Sequence, residues 1–254
     1  MDARTCTIAT EAPDLPRRVF DETYRDHDVP VVIRNATSAL TGSCDFRAMT
    51  TVAALAAAFG DAVVTLSSAN AFSYGRRRAR VADYLASIAD SSARETWGRG
   101  DTKADDVYYW FGEHGDELRP LLKRYPLPRY TYAAPSLARF EVSSRGAVPE
   151  AARSPALSFG VAPDGSGVPF HFHNDGFSEV MHGAKRWLLY QHKPPRFREN
   201  ATSVSWLRED YPQLSAAERP RECTIRPGDL LYFPKGWWHA IINVGETVFM
   251  STFL

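Results

Sequence analysis

The sequence predicts a mainly β protein of the α+β kind, a sandwich or jelly roll whose first half alternates helices with short strands. Three observations carry this. From Leu157 to Leu254 short apolar stretches alternate with Gly, Pro and Asn-Asp turns. His171 and His173 stand two apart in one such stretch, and His239 lies in another far downstream. No internal repeat or low-complexity linker divides the 254 residues, so one domain with an N-terminal extension accounts for them. We set residues 1–156 as a support region of that domain and residues 157–254 as its core.

In the first half, Val19, Phe20 and Tyr24 fall at helical spacing between Leu15 and His27, with Pro16 suited to a first turn. Pro30 to Ile33 reads as a short buried strand. Phe46 to Phe59, rich in alanine, reads as a helix ending at Gly60. A strand at Ala62–Leu66 follows, then an amphipathic helix from Arg80 to Ile88, an aromatic strand at Val107–Phe111 and a helix from Glu117 to Tyr125. Pro126 to Pro155 is proline-rich and irregular, with a strand expected at Leu137–Val142. The cluster Arg76-Arg77-Arg78-Ala79-Arg80 reads as a solvated loop or helix start.

In the second half the expected strands are Leu157–Val161, Pro169–His173, Ser178–His182, Lys185–Tyr190, Glu222–Arg226, Asp229–Phe233, Trp238–Asn243 and Glu246–Phe253. Val204 to Tyr211 interrupts them as a helix. Asp164-Gly165-Ser166-Gly167 lacks the Gly-Lys-Ser/Thr of a phosphate loop and reads as a turn between strands.

Apolar residues make up 44% of the chain, enough to fill a substantial core, and 30 basic residues balance 30 acidic ones. That balance argues against nucleic acid or an anionic membrane as partner. No run approaches the roughly 18 apolar residues of a membrane span, and the first residues show no apolar signal-peptide core, so the chain as written is expected in the cytoplasm. Asn35-Ala36-Thr37 and Asn200-Ala201-Thr202 are glycosylation sequons, a pattern that also arises by chance. Cys6, Cys44 and Cys223 have no CxxC spacing; three buried thiols is the expectation, with one disulfide plus one free thiol as the alternative.

Successive strand side chains point to opposite faces, so His171 and His173 project together. Two close imidazoles and a remote third, His239, are a way for a barrel to build an open metal site. Pro169-x-His171-x-His173, Gly183-x-Lys185-Arg186-Trp187, Pro227-Gly228-Asp229, Phe233-Pro234 and Trp237-Trp238-His239 resemble, in order and spacing, the Jumonji-C (JmjC) family of cupin-like Fe(II)- and 2-oxoglutarate-dependent oxygenases. Phe177-Ser178-Glu179-Val180, Cys223-Thr224-Ile225-Arg226 and Ser251-Thr252-Phe253-Leu254 are similar to one branch of it.

The resemblance implies a double-stranded β-helix with helices packed outside the barrel, Fe(II) as metal, 2-oxoglutarate as cosubstrate and a protein substrate or partner. For the branch, it implies residence in the endoplasmic reticulum lumen. The family's ligand set is two histidines and a carboxylate, normally in a His-x-Asp pair; here the carboxylate's position is His173. Asp175 is the alternative ligand, or a turn former in Asn174-Asp175-Gly176, or a partner to a ligand imidazole. Relatives place a cation for the cosubstrate's distal carboxylate where Lys185 stands, fourteen residues after His171. They often offer a hydroxyl just before the first histidine, where Val168 and Phe170 have none; Ser251 is the substitute. A dioxygenase is the leading expectation. Beside it stand a non-catalytic JmjC-like domain working through protein contacts and a three-histidine metal enzyme without 2-oxoglutarate.

Overall fold

The computed structural model describes residues 6–69, 75–89, 107–112, 118–131 and 155–254. The expected strand at residues 137–142 and His114 lie outside them. Eleven strands form one hydrogen-bonded system: β1 Ala9–Glu11, β2 Val31–Ile33, β3 Val63–Ser68, β4 Arg76–Arg80, β5 Tyr108–Phe111, β6 Ala156–Ala162, β7 Gly167–His171, β8 Gly176–Tyr190, β9 Arg221–Ile225, β10 Leu230–Phe233 and β11 Trp238–Phe253. Six α-helices are described: α1 Arg17–Phe20, α2 Thr41–Met49, α3 Val52–Phe59, α4 Val81–Ala89, α5 Arg119–Leu122 and α6 Ser203–Glu209.

Two long strands tie the system together. β8 and β11 run antiparallel along almost their whole lengths, bent where Gly183 and Gly245 take positive φ. The first part of β8 and the last part of β11 join β10, β2 and β1 on one side and β6, β5, β3 and β4 on the other. Their other halves join β9 and β7 in a smaller sheet. The result is a jelly roll, the fold class the strand-and-turn pattern predicts. What the sequence divides into four strands, 178–182 with 185–190 and 238–243 with 246–253, the structure joins into two. At Gly183 a Cβ would stand 2.2 Å from the Glu246 carbonyl, so glycine permits both the bend and the close approach of the partner strand.

Helices α2, α3 and α4 cover one face of the larger sheet, and α6 packs on β7 and β11 of the smaller one. Phe46 of α2, Leu55 of α3 and Tyr84, Leu85 and Ile88 of α4 pack with Trp110, Phe159, Met181 and Met250 in one buried cluster. The expected helix over 46–59 is two, because Thr51 accepts the amide of Ala54 and starts a new helix. Past Phe20 the first helix continues as a π-helical turn, Asp21–Arg25. Within this shell buried Glu179 accepts from Thr37 Oγ1 at 2.6 Å and Tyr125 Oη at 3.0 Å, fastening the segment after β2 and the chain after α5 to β8. Thr37 is the threonine of the first sequon, and Thr202 of the second caps α6 by accepting from Ser205 N; both asparagines are exposed.

Two local expectations are corrected. Arg76–Arg80 is neither loop nor helix start but strand β4, paired antiparallel with β3; only Ala79 is buried, so the alternation that marks a strand is hidden among arginines. Nor are the cysteines three buried thiols: Cys6 is bonded to Cys223 across 217 residues, and Cys44 is free and exposed. Parallel pairing of β1 with β2 carries the N-terminal segment past β9, where Thr7 N reaches Glu222 O at 2.8 Å, and that approach makes the bridge.

Candidate metal centre

His171 ends β7 and His239 is the second residue of β11, and the two are direct partners across that ladder. Their ring centroids lie 4.3 Å apart. His173 has already left the strand; its carbonyl accepts from Gly236 N at 2.9 Å, which holds it beside the turn that leads into His239. Its ring comes 5.3 Å from that of His171 and 4.7 Å from that of His239. One nitrogen from each of the three lies within 4.8 Å of the others.

Each Nδ1 faces a carbonyl oxygen: Pro169 O at 2.8 Å for His171, Asn174 O at 2.7 Å for His173, and Trp237 O at 2.9 Å for His239. A carbonyl only accepts, so these partners assign the proton to Nδ1 and leave the Nε2 lone pairs free. Burial pushes the His171 imidazole down to about 4 and lowers His173 as well. Burial, followed by the charge of the two neighbouring rings, holds His239 well below the usual range. Three neutral imidazoles with oriented lone pairs are a donor set that fits one divalent transition metal.

Asp175 does not join them. The metal-competent group among the described residues contains the three histidines and no carboxylate. Asp175 hydrogen-bonds the Tyr232 hydroxyl, which it helps hold protonated, while its carbonyl accepts from Leu254 N at 3.1 Å. Residues 172–175 lie between β7 and β8 and outside any strand, so the two-residue alternation does not carry from His173 to Asp175.

The histidines line a cavity of about 150 Å³ enclosed between the two sheets. Lys185 lines it too, 3% exposed, and pairs with no carboxylate among the described residues. Burial lowers its ammonium well below the ordinary lysine value. Ser251 is buried and lines the same cavity, and among the described residues no acidic side chain contributes to the lining. Trp187 and Phe233 stack against each other beside His239. Trp237 packs in the core with Trp187 and Phe233 without lining the cavity itself, and Trp238 lies against exposed Phe172.

Sequence reasoning missed several lining residues, Asn243, Phe249 and Tyr109 among them. Asn243 stands opposite Lys185, four residues past His239 and on the same face, a position that strand alternation could have found. Its Nδ2 donates to Ser166 O and Oγ at 3.1 and 3.0 Å, which leaves Oδ1 buried without a hydrogen-bond partner. Phe249 follows at a further even offset on β11. Tyr109 comes from β5, and nothing local in the sequence marks it.

Comparisons with known proteins agree with this architecture. A family model for a cupin-like domain matches residues 16–253. JmjC domain-containing protein 8 of Rattus norvegicus is 40% identical over 100% of this chain and 84% of its own length, and the human protein of that name 39% over 98% and 84%. Lower similarity extends to the bifunctional arginine demethylase and lysyl-hydroxylase psr-1 of Caenorhabditis briggsae, 29% identical over 38% of this chain and 29% of that protein. The 2-oxoglutarate and iron-dependent oxygenase JMJD4 of Gallus gallus is likewise 29% identical, over 35% and 24%. With the jelly roll, the histidine cluster at its mouth and a match spanning nearly the whole sequence, the chain belongs to the cupin-like JmjC domain family.

Proposed function

We propose that the protein is an Fe(II)- and 2-oxoglutarate-dependent oxygenase that hydroxylates a carbon of a protein substrate, with His171, His173 and His239 as metal ligands. The observation that carries this is Lys185. A buried ammonium without a counter-charge among the described residues is costly, and it shares a cavity whose described lining holds no acid with three metal-competent imidazoles. That combination suits a small anion that reaches the metal at one end and the ammonium at the other. The distant relatives include a bifunctional arginine demethylase and lysyl-hydroxylase and a 2-oxoglutarate and iron-dependent oxygenase.

With metal and cosubstrate bound, the site would supply the oxidising power to break a C–H bond by way of dioxygen. The chain's own residues do the rest. The imidazoles would hold the ion, Lys185 would fix the distal carboxylate, and Ser251, which lines the same cavity, would donate a hydrogen bond. Trp187, Phe233 and Phe253 wall the site with apolar surface that excludes water. The Cys6–Cys223 bridge supports residence in an oxidising compartment, the endoplasmic reticulum lumen being our choice.

The missing carboxylate favours a second reading, a three-histidine metal enzyme that does not use 2-oxoglutarate. Calorimetry with Mn(II) as a non-oxidisable ion separates the two. We expect 2-oxoglutarate to bind only with metal present, and Lys185→Ala to abolish that binding with the fold intact. Metal binding without 2-oxoglutarate binding at millimolar concentration would select the second reading. Absence of both would select a domain acting through protein contacts.

A further inference from the structure

The deep end of the cavity is aromatic, and its central element is Phe249. The residue is 2% exposed and stands opposite Gly160 in the β6–β11 ladder. A Cβ at Gly160 would lie 2.2 Å from Cζ of the ring, so this glycine is what lets the ring lie over β6. Phe111 closes the other side, its centroid 5.4 Å away, and itself stacks on Tyr109 at 5.6 Å. The Phe249 face meets Lys185, with Nζ 3.2 Å from the ring centroid. A ring face carries partial negative charge, so it holds the ammonium where no carboxylate among the described residues does.

Both anchors for a bound diacid are therefore fixed. One is the imidazole cluster at the ends of β7 and β11, and the other is an ammonium pinned against a ring that cannot retreat. We propose that Phe249 sets the length of the dicarboxylate the pocket accepts, a reading that rests on the cosubstrate site proposed above. A five-carbon keto diacid spans the two anchors, whereas a homologue one methylene longer must push its distal carboxylate into the space of the Phe249 ring. Shortening that side chain removes the stop and releases Lys185 to withdraw, so the span lengthens. Its role is that of a specificity residue, acting through Lys185, which it meets face-on, and through its own bulk.

The test uses the Mn(II)-loaded chain and calorimetric titration with 2-oxoglutarate and with 2-oxoadipate. For the unmutated protein we expect preference for the shorter acid by about tenfold or more, the usual discrimination of one methylene in a tight pocket. Phe249→Ala should bring the ratio to parity or reverse it. Phe249→Leu, which keeps a core side chain but loses the ring tip, should shift it in the same direction and reads the effect if the alanine variant does not fold. A merely structural role would weaken both acids together. Folded variants that keep the original ratio, or an unmutated protein that binds both acids equally, would overturn the proposal and leave the cosubstrate site standing. An unmutated protein that binds neither acid overturns both.

Discussion

His171 and His239 face each other across the β7–β11 ladder with ring centroids 4.3 Å apart, while His173 reaches the same point from beyond the strand end. Two of the three candidate ligands are thus set by sheet register and the third by a turn. The third is where the chemistry departs from a carboxylate-containing set, and it is the most informative position to alter. His173→Asp restores a negative ligand to the centre. Even at an effective dielectric constant of about 20, a unit charge some 4 Å away contributes roughly 4 kcal/mol, so Mn(II) should bind at least about tenfold more tightly after the aspartate's desolvation is deducted. Titration of metal-free protein followed by Mn(II) electron paramagnetic resonance reads this directly. Equal or weaker binding by the variant would mean that position 173 does not contact the ion.

Acid sensitivity follows from the same burial. In the metal-free fold His171 takes a proton only near pH 4, against about 6.5 in an unfolded chain. Between those values the unfolded state holds the extra proton, so stability falls as pH drops from about 6.5 towards 4 and is flat above. The lowered His239 and His173 act with the same sign. The contribution of His171 is of order 3 kcal/mol at most. Urea unfolding at pH 7.5, 6 and 5 should show the unmutated chain losing more than His171→Gln; parallel losses would refute it.

Lys185 should be dispensable for folding and needed for the anion. Because its burial opposes the charged form and no carboxylate among the described residues answers it, Lys185→Met should leave stability unchanged or raise it by about 1–4 kcal/mol, as replacing buried ionic groups by apolar ones often does. Diacid binding should be lost in the same variant. A clear fall in melting temperature would show that the ammonium has a stabilising partner.

The Cys6–Cys223 bridge closes a loop of more than two hundred residues and anchors the segment that carries Ile8 into the core beside Trp187 and Ile225. Cys223→Ser should lower the unfolding free energy by about 2–5 kcal/mol, and a reductant should do the same to the unmutated chain but not to the variant. Peptide mapping without reduction should recover Cys6 joined to Cys223 and Cys44 alone.

Much of this protein was legible in the sequence because it is encoded locally. Strand periodicity, Gly and Pro turns and the spacing of His171, His173 and Lys185 each depend on a few neighbouring residues, and they mark the jelly roll and the metal-competent strand. Asp175 shows where local reasoning stops. Two residues past His173 it satisfies a ligand spacing, yet it lies outside any strand and hydrogen-bonds Tyr232 of β10. Arg76–Arg80 became a strand because β3 lay beside it, and Cys6 met Cys223 because β1 joined β2. Tyr109 and Phe249 came to the cavity through ladders joining residues far apart in sequence, with Gly160 making room for the ring. The sequence by itself determined which segments extend and which side chains share a strand face, since both follow from backbone geometry over two to four residues. Which faces meet, and so what lines the site, was decided only in the tertiary structure, where hydrogen-bond register and close packing between distant strands select one arrangement among many that local preferences allow.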